Sequence, residues 1–108
     1  MDRKLVIYID VDDTLIRSAG KTQIPMPASA DYVRRMHAAG HTLYCWSRGG
    51  LDHARDVATS LGIADCFVAF MPSCLHAFMP KPDVCLDDRG DKLLDYCDVI
   101  LPSNASNQ

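Results

Sequence analysis

The first strongly patterned stretch of the chain is Leu5-Val-Ile-Tyr-Ile9, an unbroken apolar run that ends in Asp10-Val-Asp-Asp-Thr14. A short apolar run bounded by a polar turn predicts a strand buried on both faces. The pattern lapses from Ile16 to Pro27, where Gly20, Pro25 and Pro27 predict an irregular flap. Tyr32, Val33 and Met36 then recur at helical spacing, giving a helix from Ala28 to Ala39 with Ser29 as candidate cap and Gly40 as stop. Thr42 to Trp46 reads as the second strand. Leu51 to Leu61 reads as a second helix, with Ala54, Val57, Ala58 and Leu61 on one stripe and a stop at Gly62. Phe67 to Phe70 and Val84 to Leu86 are the third and fourth strands, separated by a loop containing Pro72 and Pro80. A short helix near Asp91 to Tyr96 and a last strand, Asp98 to Leu101, complete the pattern.

Strands and helices alternating in this order predict an α/β protein with a parallel sheet, helices on both faces and right-handed crossovers. With 108 residues there is room for one domain, residues 1–102, followed by a polar tail, residues 103–108, that is expected to fray. No repeat or low-complexity tract interrupts it.

Composition narrows the function classes. A hydrophobic content of 48% with 23% charged residues is ordinary for a globular protein, and the formal charge of −3 lacks the basic footprint of a general nucleic-acid binder. No apolar run is long enough to span a membrane. The five cysteines (Cys45, Cys66, Cys74, Cys85, Cys97) form no CxxC pair. Their odd number, with no signal peptide in the sequence, leads to the expectation of a cytoplasmic protein with reduced, buried thiols. A zinc site from Cys66, Cys74 and His76 lacks a paired ligand motif. His37, His41, His53 and His76 are scattered without ligand spacing, and no chemistry is assigned to them.

The candidate chemistry lies where strands run out. Asp10 and Asp12 sit at the carboxyl end of the first strand, where open α/β sheets bind ligands. Two such carboxylates can share a divalent cation, one attacking phosphorus and the other handling the leaving-group proton. A calcium loop does not fit, because Leu15 and Lys21 stand where the EF-hand needs Gly and Glu. Ser47, followed by Arg48, Gly49 and Gly50, reads either as a phosphate-holding loop or as a helix cap with a flexible turn. Lys81, between Pro80 and Pro82, reads either as a charge-neutralising ammonium or as a solvated lysine. Asp87 and Asp88 follow the fourth strand, and a second acidic strand end beside the first calls for a cation such as magnesium.

In this order and strand context, Asp10-Val-Asp-Asp-Thr-Leu, Ser47, Lys81 and Asp87-Asp88 resemble the four motifs of the haloacid dehalogenase-like (HAD) hydrolase superfamily, over residues 5 to 89. The resemblance implies a Rossmann-like three-layer α/β/α fold, a five-stranded parallel sheet in the order 3-2-1-4-5, and magnesium at its carboxyl edge. It implies Asp10 as the nucleophile that forms an aspartyl-phosphate. Asp12 would be general acid and then base, with a raised pKa, and Ser47 and Lys81 would complete the catalytic set. The metal would take Asp10, the backbone carbonyl of Asp12, and Asp87 or Asp88. Thr14 would brace the loop, and Thr14, Ser47, Arg48, Gly49 and Lys81 form the expected substrate-binding set. Because Asp12 is an acid, a phosphatase rather than a dehalogenase is expected.

The chain has no room for a cap domain, which resembles the capless subgroup. An open site of that kind suits a phosphorylated macromolecule or closure by a second subunit of a homo-oligomer. Arg17, Arg48 and Arg89 are candidates for phosphate recognition, or else solvated. The stretch Cys74 to Pro80, with Leu75, Phe78 and Met79, would be a substrate wall, a subunit contact or core. Two alternatives accompany the phosphatase reading. One is a catalytically weak regulatory or partner-binding module. The other is a polynucleotide 3′-phosphatase-like activity, suggested by Lys81-Pro-Asp and Asp87-Asp-Arg.

Overall fold

A computed structural model describes residues 3–73, 80–89 and 97–108 of the chain. Its centre is β1 (Val6–Asp10), which pairs in parallel with β4 (Thr42–Ser47) on one side and β6 (Val84–Leu86) on the other. β5 (Ala69–Pro72) extends the sheet beyond β4, and β7 (Asp98–Ile100) extends it beyond β6. The result is a five-stranded parallel sheet in the order β5-β4-β1-β6-β7. The order is not numbered 3-2-1-4-5 as expected, because two further strands, β2 (Ile16–Ala19) and β3 (Thr22–Pro25), intervene and pair only with each other.

Those two strands replace the expected irregular flap with an antiparallel hairpin. The reason is local. Gly20, at φ +64°, takes the first central position of a two-residue turn between Ala19 and Thr22, a place where a positive φ matches the twist of the flanking strands. Pro25 is accommodated at the outer end of β3, where a missing N–H interrupts no central ladder.

Helix α1 (Pro27–Ala38) begins one residue earlier than its pattern suggests. Met26 occupies the cap position and Pro27 the first helical position, where its fixed φ and absent N–H cost nothing. Ser29 is therefore inside the first turn and buried, rather than the cap. Gly40, at φ +91°, closes the helix by donating to the His37 carbonyl at 3.0 Å. Helix α2 (Leu51–Ser60) starts from Gly50 and buries Ala54, Val57 and Ala58.

Alternation along the strands sorts the core into two faces. Ile7, Ile9, Leu43 and Cys45 cluster with Tyr32 and Val33 of α1 and with Ala54 and Val57 of α2. Tyr8, Trp46, Met71 and Cys85 cluster on the other face. Tyr8 stacks edge-on with Trp46 at a centroid distance of 5.0 Å. Among the described residues Cys45 and Cys85 are buried free thiols, and the Cys85 and Cys97 sulfurs lie 2.8 Å apart. Residues 74–79 and 90–96 fall outside the described residues, and with them the expected helix near Asp91 to Tyr96, the stretch from Cys74 to Met79 and the ligands Cys74 and His76. No helix among the described residues is long and apolar enough to cross a membrane.

The polar tail is not frayed. Pro102–Asn107 forms a 3-10 segment whose Ala105 is fully buried in the main cluster. Arg35 of α1 donates to the carbonyl of Ala105 at 2.8 Å and also to that of Gln108. Ending the chain at Pro102 is therefore expected to lower the thermal midpoint by about 5 °C or more, since about 1 kcal/mol corresponds to 4–8 °C in a domain of this size. A thermal scan followed by circular dichroism checks this, and an unchanged midpoint would mean that the docked tail contributes nothing.

Candidate functional site

Parallel pairing of β1 with β6 puts two acidic strand ends side by side. Ile9 is in register with Leu86, so Asp10 and Asp87 follow at neighbouring strand termini. Carboxylate oxygens of Asp10, Asp87 and Asp88 all lie within 4.8 Å of one another. Asp10 and Asp87 are buried, whereas Asp88 is exposed. Beside them opens a cleft of about 210 Å³ lined by Asp10, Asp12, Asp13, Arg48, Asp88 and Arg89.

The loop after β1 is wound tightly on one carbonyl. The N–H groups of Thr14, Leu15 and Ile16 all point to Val11 O, at 3.2, 2.8 and 3.2 Å. Asp13 sits at φ +62°, in the left-handed region that Asp tolerates better than most residues other than Gly. This turn carries Asp12 outward to the cleft while Asp10 remains in the sheet. Thr14 is fully buried, and its hydroxyl donates to Asp10 Oδ2 at 3.0 Å. It holds the Asp10 carboxylate directly, where the expectation was a brace for the loop and a place in the substrate-binding set, and it is not part of the cleft lining.

Each carboxylate has its own partner. The Asp87 side chain is fully buried and held by the Arg89 guanidinium, Nε to Oδ1 at 3.1 Å and Nη2 to Oδ2 at 2.9 Å, with the Arg89 backbone N–H also on Oδ1. The same guanidinium lies over the Trp46 ring, 5.5 Å from its centroid. Asp12 Oδ1 accepts from His53 Nε2 at 3.0 Å.

Burial, then the negative charge of Asp87, then a hydrogen bond with Asp88 push the Asp10 carboxyl up to about 8, with the Thr14 bond pulling the other way. The desolvation that raises this carboxyl follows from its place in the sheet, where Asp10 is buried, whereas the Asp12 side chain is 51% exposed.

The remaining expected residues divide. Arg48 lines the cleft and makes no ion pair among the described residues. Ser47 is the last residue of β4 and is buried, and its Oγ accepts the Gly49 N–H at 2.9 Å. It thus closes the turn before α2 and does not cap that helix, whose cap position belongs to Gly50. Gly49 and its N–H are committed to this turn. Lys81 is exposed and does not line the cleft. Its segment is tethered beside β1 on both flanks, by the Tyr8 hydroxyl donating to Pro80 O and by the Val6 N–H donating to Asp83 Oδ2 at 2.8 Å. Arg17 is on the hairpin and lines a different groove, with Ile24, Met26 and Ser29.

His53 is the site residue that sequence reasoning passed over. Its signal was positional: the third residue of a helix that starts directly after the second strand's Gly-Gly turn faces the sheet's carboxyl edge.

The three carboxylates fit a divalent cation by the chemistry of the donor set. They are hard oxygen ligands, two of them buried, and the single Arg89 guanidinium does not balance their charge. The Asp12 carboxylate is outside this set, so its expected contribution is confined to the backbone carbonyl.

Comparison of the chain with protein-family models, curated proteins and solved structures finds no match in any of the three.

A raised pKa has a consequence for stability. Asp10 binds its proton more tightly in the folded than in the unfolded chain, so its contribution is full below pH about 4 and is lost as pH rises through about 8. In the presence of chelator, wild-type protein is expected to melt lower at pH 8 than at pH 5, and Asp10→Asn to flatten that slope and melt higher than wild type at pH 8. Calorimetry at the two pH values checks the sign.

Proposed function

We propose that this chain is a magnesium-dependent phosphatase of the HAD type, hydrolysing a phosphomonoester through an aspartyl-phosphate on Asp10. The observation that carries the reading is the meeting of Asp10, Asp87 and Asp88 within 4.8 Å, beside a cleft that Asp12 and two arginines also line. The three-layer form of a capless Rossmann-like domain belongs to the same proposal.

The chemistry divides among the side chains by environment. Thr14 holds Asp10 Oδ2, leaving Oδ1 as the oxygen that attacks phosphorus. Arg48, the guanidinium in the cleft with no carboxylate partner among the described residues, takes the phosphoryl oxygens. Asp12, exposed to the cleft, gives a proton to the leaving oxygen as the P–O bond breaks and Asp10 gains the phosphoryl group. In the second half, Asp12 takes a proton from water as that water attacks phosphorus, which frees Asp10 and inorganic phosphate. Held by Asp10, Asp88 and the Asp12 carbonyl, with Asp87 behind them, magnesium would keep Asp10 ionised and offset phosphoryl charge. Lys81 does not line the cleft, and its role is secondary in this scheme.

The hairpin of β2 and β3 is the whole of the insertion after the first motif, and nothing among the described residues closes the cleft over. An open cleft supports a bulky phosphorylated substrate over a small enclosed one.

The test is phosphate release from an aryl phosphate with magnesium and then with excess chelator. Release is expected to need the metal, to vanish in Asp10→Asn and to fall about 10²- to 10⁴-fold in Asp12→Asn, the usual contribution of a general acid. Turnover that survives Asp10→Asn would remove the nucleophile. No turnover on a broad phosphate panel, with one stoichiometric partner co-purifying, would favour the regulatory module instead.

A further inference from the structure

We infer that His53 is the positioning residue for Asp12, aligning the general acid for the leaving group; this rests on the phosphatase reading above. The contact is direct, His53 Nε2 to Asp12 Oδ1 at 3.0 Å, and links elements far apart in sequence. The imidazole is better covered than its partner, 28% exposed against 51% for the Asp12 side chain. A half-exposed carboxylate on a turn rotates freely unless something holds it, and a proton donor displaced by an ångström loses much of its effect.

Independent support comes from the seat of the ring. At Gly49 an added Cβ would lie 2.8 Å from His53 Cδ2 and 3.1 Å from Cγ. Absence of a side chain at residue 49 is what lets the imidazole lie against the backbone and reach Asp12. That backbone is itself fixed to the sheet. Gly49 N–H donates to Ser47 Oγ at 2.9 Å, Gly50 N–H to Ser47 O at 3.2 Å, and Ala54 N–H to Gly50 O at 3.1 Å. His53 thus moves with β4, which is in register with β1 up to Asp10 and Trp46. On the other side, the Asp13 N–H donates to Ile16 O at 2.7 Å and fixes the turn that carries Asp12.

Holding Oδ1 leaves Asp12 Oδ2 to carry the transferred proton. As the P–O bond breaks, its electron pair goes to the leaving oxygen and the Oδ2 proton follows. His53 acts through Asp12 and touches neither phosphorus nor the leaving group. The demand on such alignment depends on the leaving group. An alkoxide needs a proton in the transition state, whereas a nitrophenolate scarcely does.

The experiment compares kcat and KM of full-length wild type, His53→Ala and His53→Gln on an alkyl phosphate and on nitrophenyl phosphate, with magnesium. His53→Ala is expected to slow the alkyl ester about 10-fold or more with KM little changed, and the nitrophenyl ester by less than about 3-fold. Gln places an amide N–H near the position of Nε2, so His53→Gln is expected to restore most of the loss. In an Asp12→Asn background, His53→Ala is expected to add nothing. Equal losses on both esters, or no loss on either, would overturn the positioning role while leaving the phosphatase reading intact. Wild-type protein that hydrolyses neither ester overturns that reading and this inference with it. If His53→Ala does not fold, His53→Asn, whose shorter amide does not reach Asp12, carries the same leaving-group comparison.

Discussion

The structure depends on the parallel pairing that places β1 between β4 and β6. It buries the first strand on both faces, and it also forces three carboxylates together at the strand ends. Within 4.8 Å, two ionised carboxylates repel by on the order of 3 kcal/mol at an effective dielectric of about 20, and this repulsion is part of what holds a proton on Asp10. A fold stable by only about 5–15 kcal/mol does not tolerate that at an arbitrary place. The cost is local because the apolar clusters lie below the carboxyl edge, so the sheet can be well packed while its rim is electrostatically strained.

How the rim is arranged follows from which partner each acid has. Arg89 neutralises Asp87, which is fully buried, and is itself steadied by the Trp46 face. Thr14 offers Asp10 a hydrogen bond but no charge, so Asp10 keeps its affinity for a proton and, equally, for a cation. Among the described residues Asp12 has His53, and beyond it solvent. Three acids with similar intrinsic chemistry thus stand in three environments, the kind of separation that the proposed phosphatase chemistry requires.

Much of this was legible along the chain. The apolar run before Asp10, the Gly stops of both helices and the short strand before Asp87 are local signals, and the elements form where those signals stand. Acidic and hydroxyl residues at strand ends could be read as a site because a parallel sheet collects such ends at one edge. Where local reading went astray, the deciding feature was a detail of backbone geometry or a distant contact. Gly20 made a hairpin of the expected flap. Pro27 displaced Ser29 from the cap. Ala105 and Arg35, 70 residues apart, docked a tail whose polarity suggested fraying.

By itself, then, the sequence determined the alternating elements, the acidic strand ends and the residue types available for chemistry, because these depend on periodicity and on neighbours a few positions away. Only the tertiary structure decided which acid is desolvated and which faces the cleft. It also decided that His53 meets Asp12 and that Arg17 does not join Arg48. The burial of Asp10 beside Asp87 and the contact of His53 with Asp12 bring together segments 77 and 41 residues apart, and burial and Coulombic coupling act through space and not along the chain.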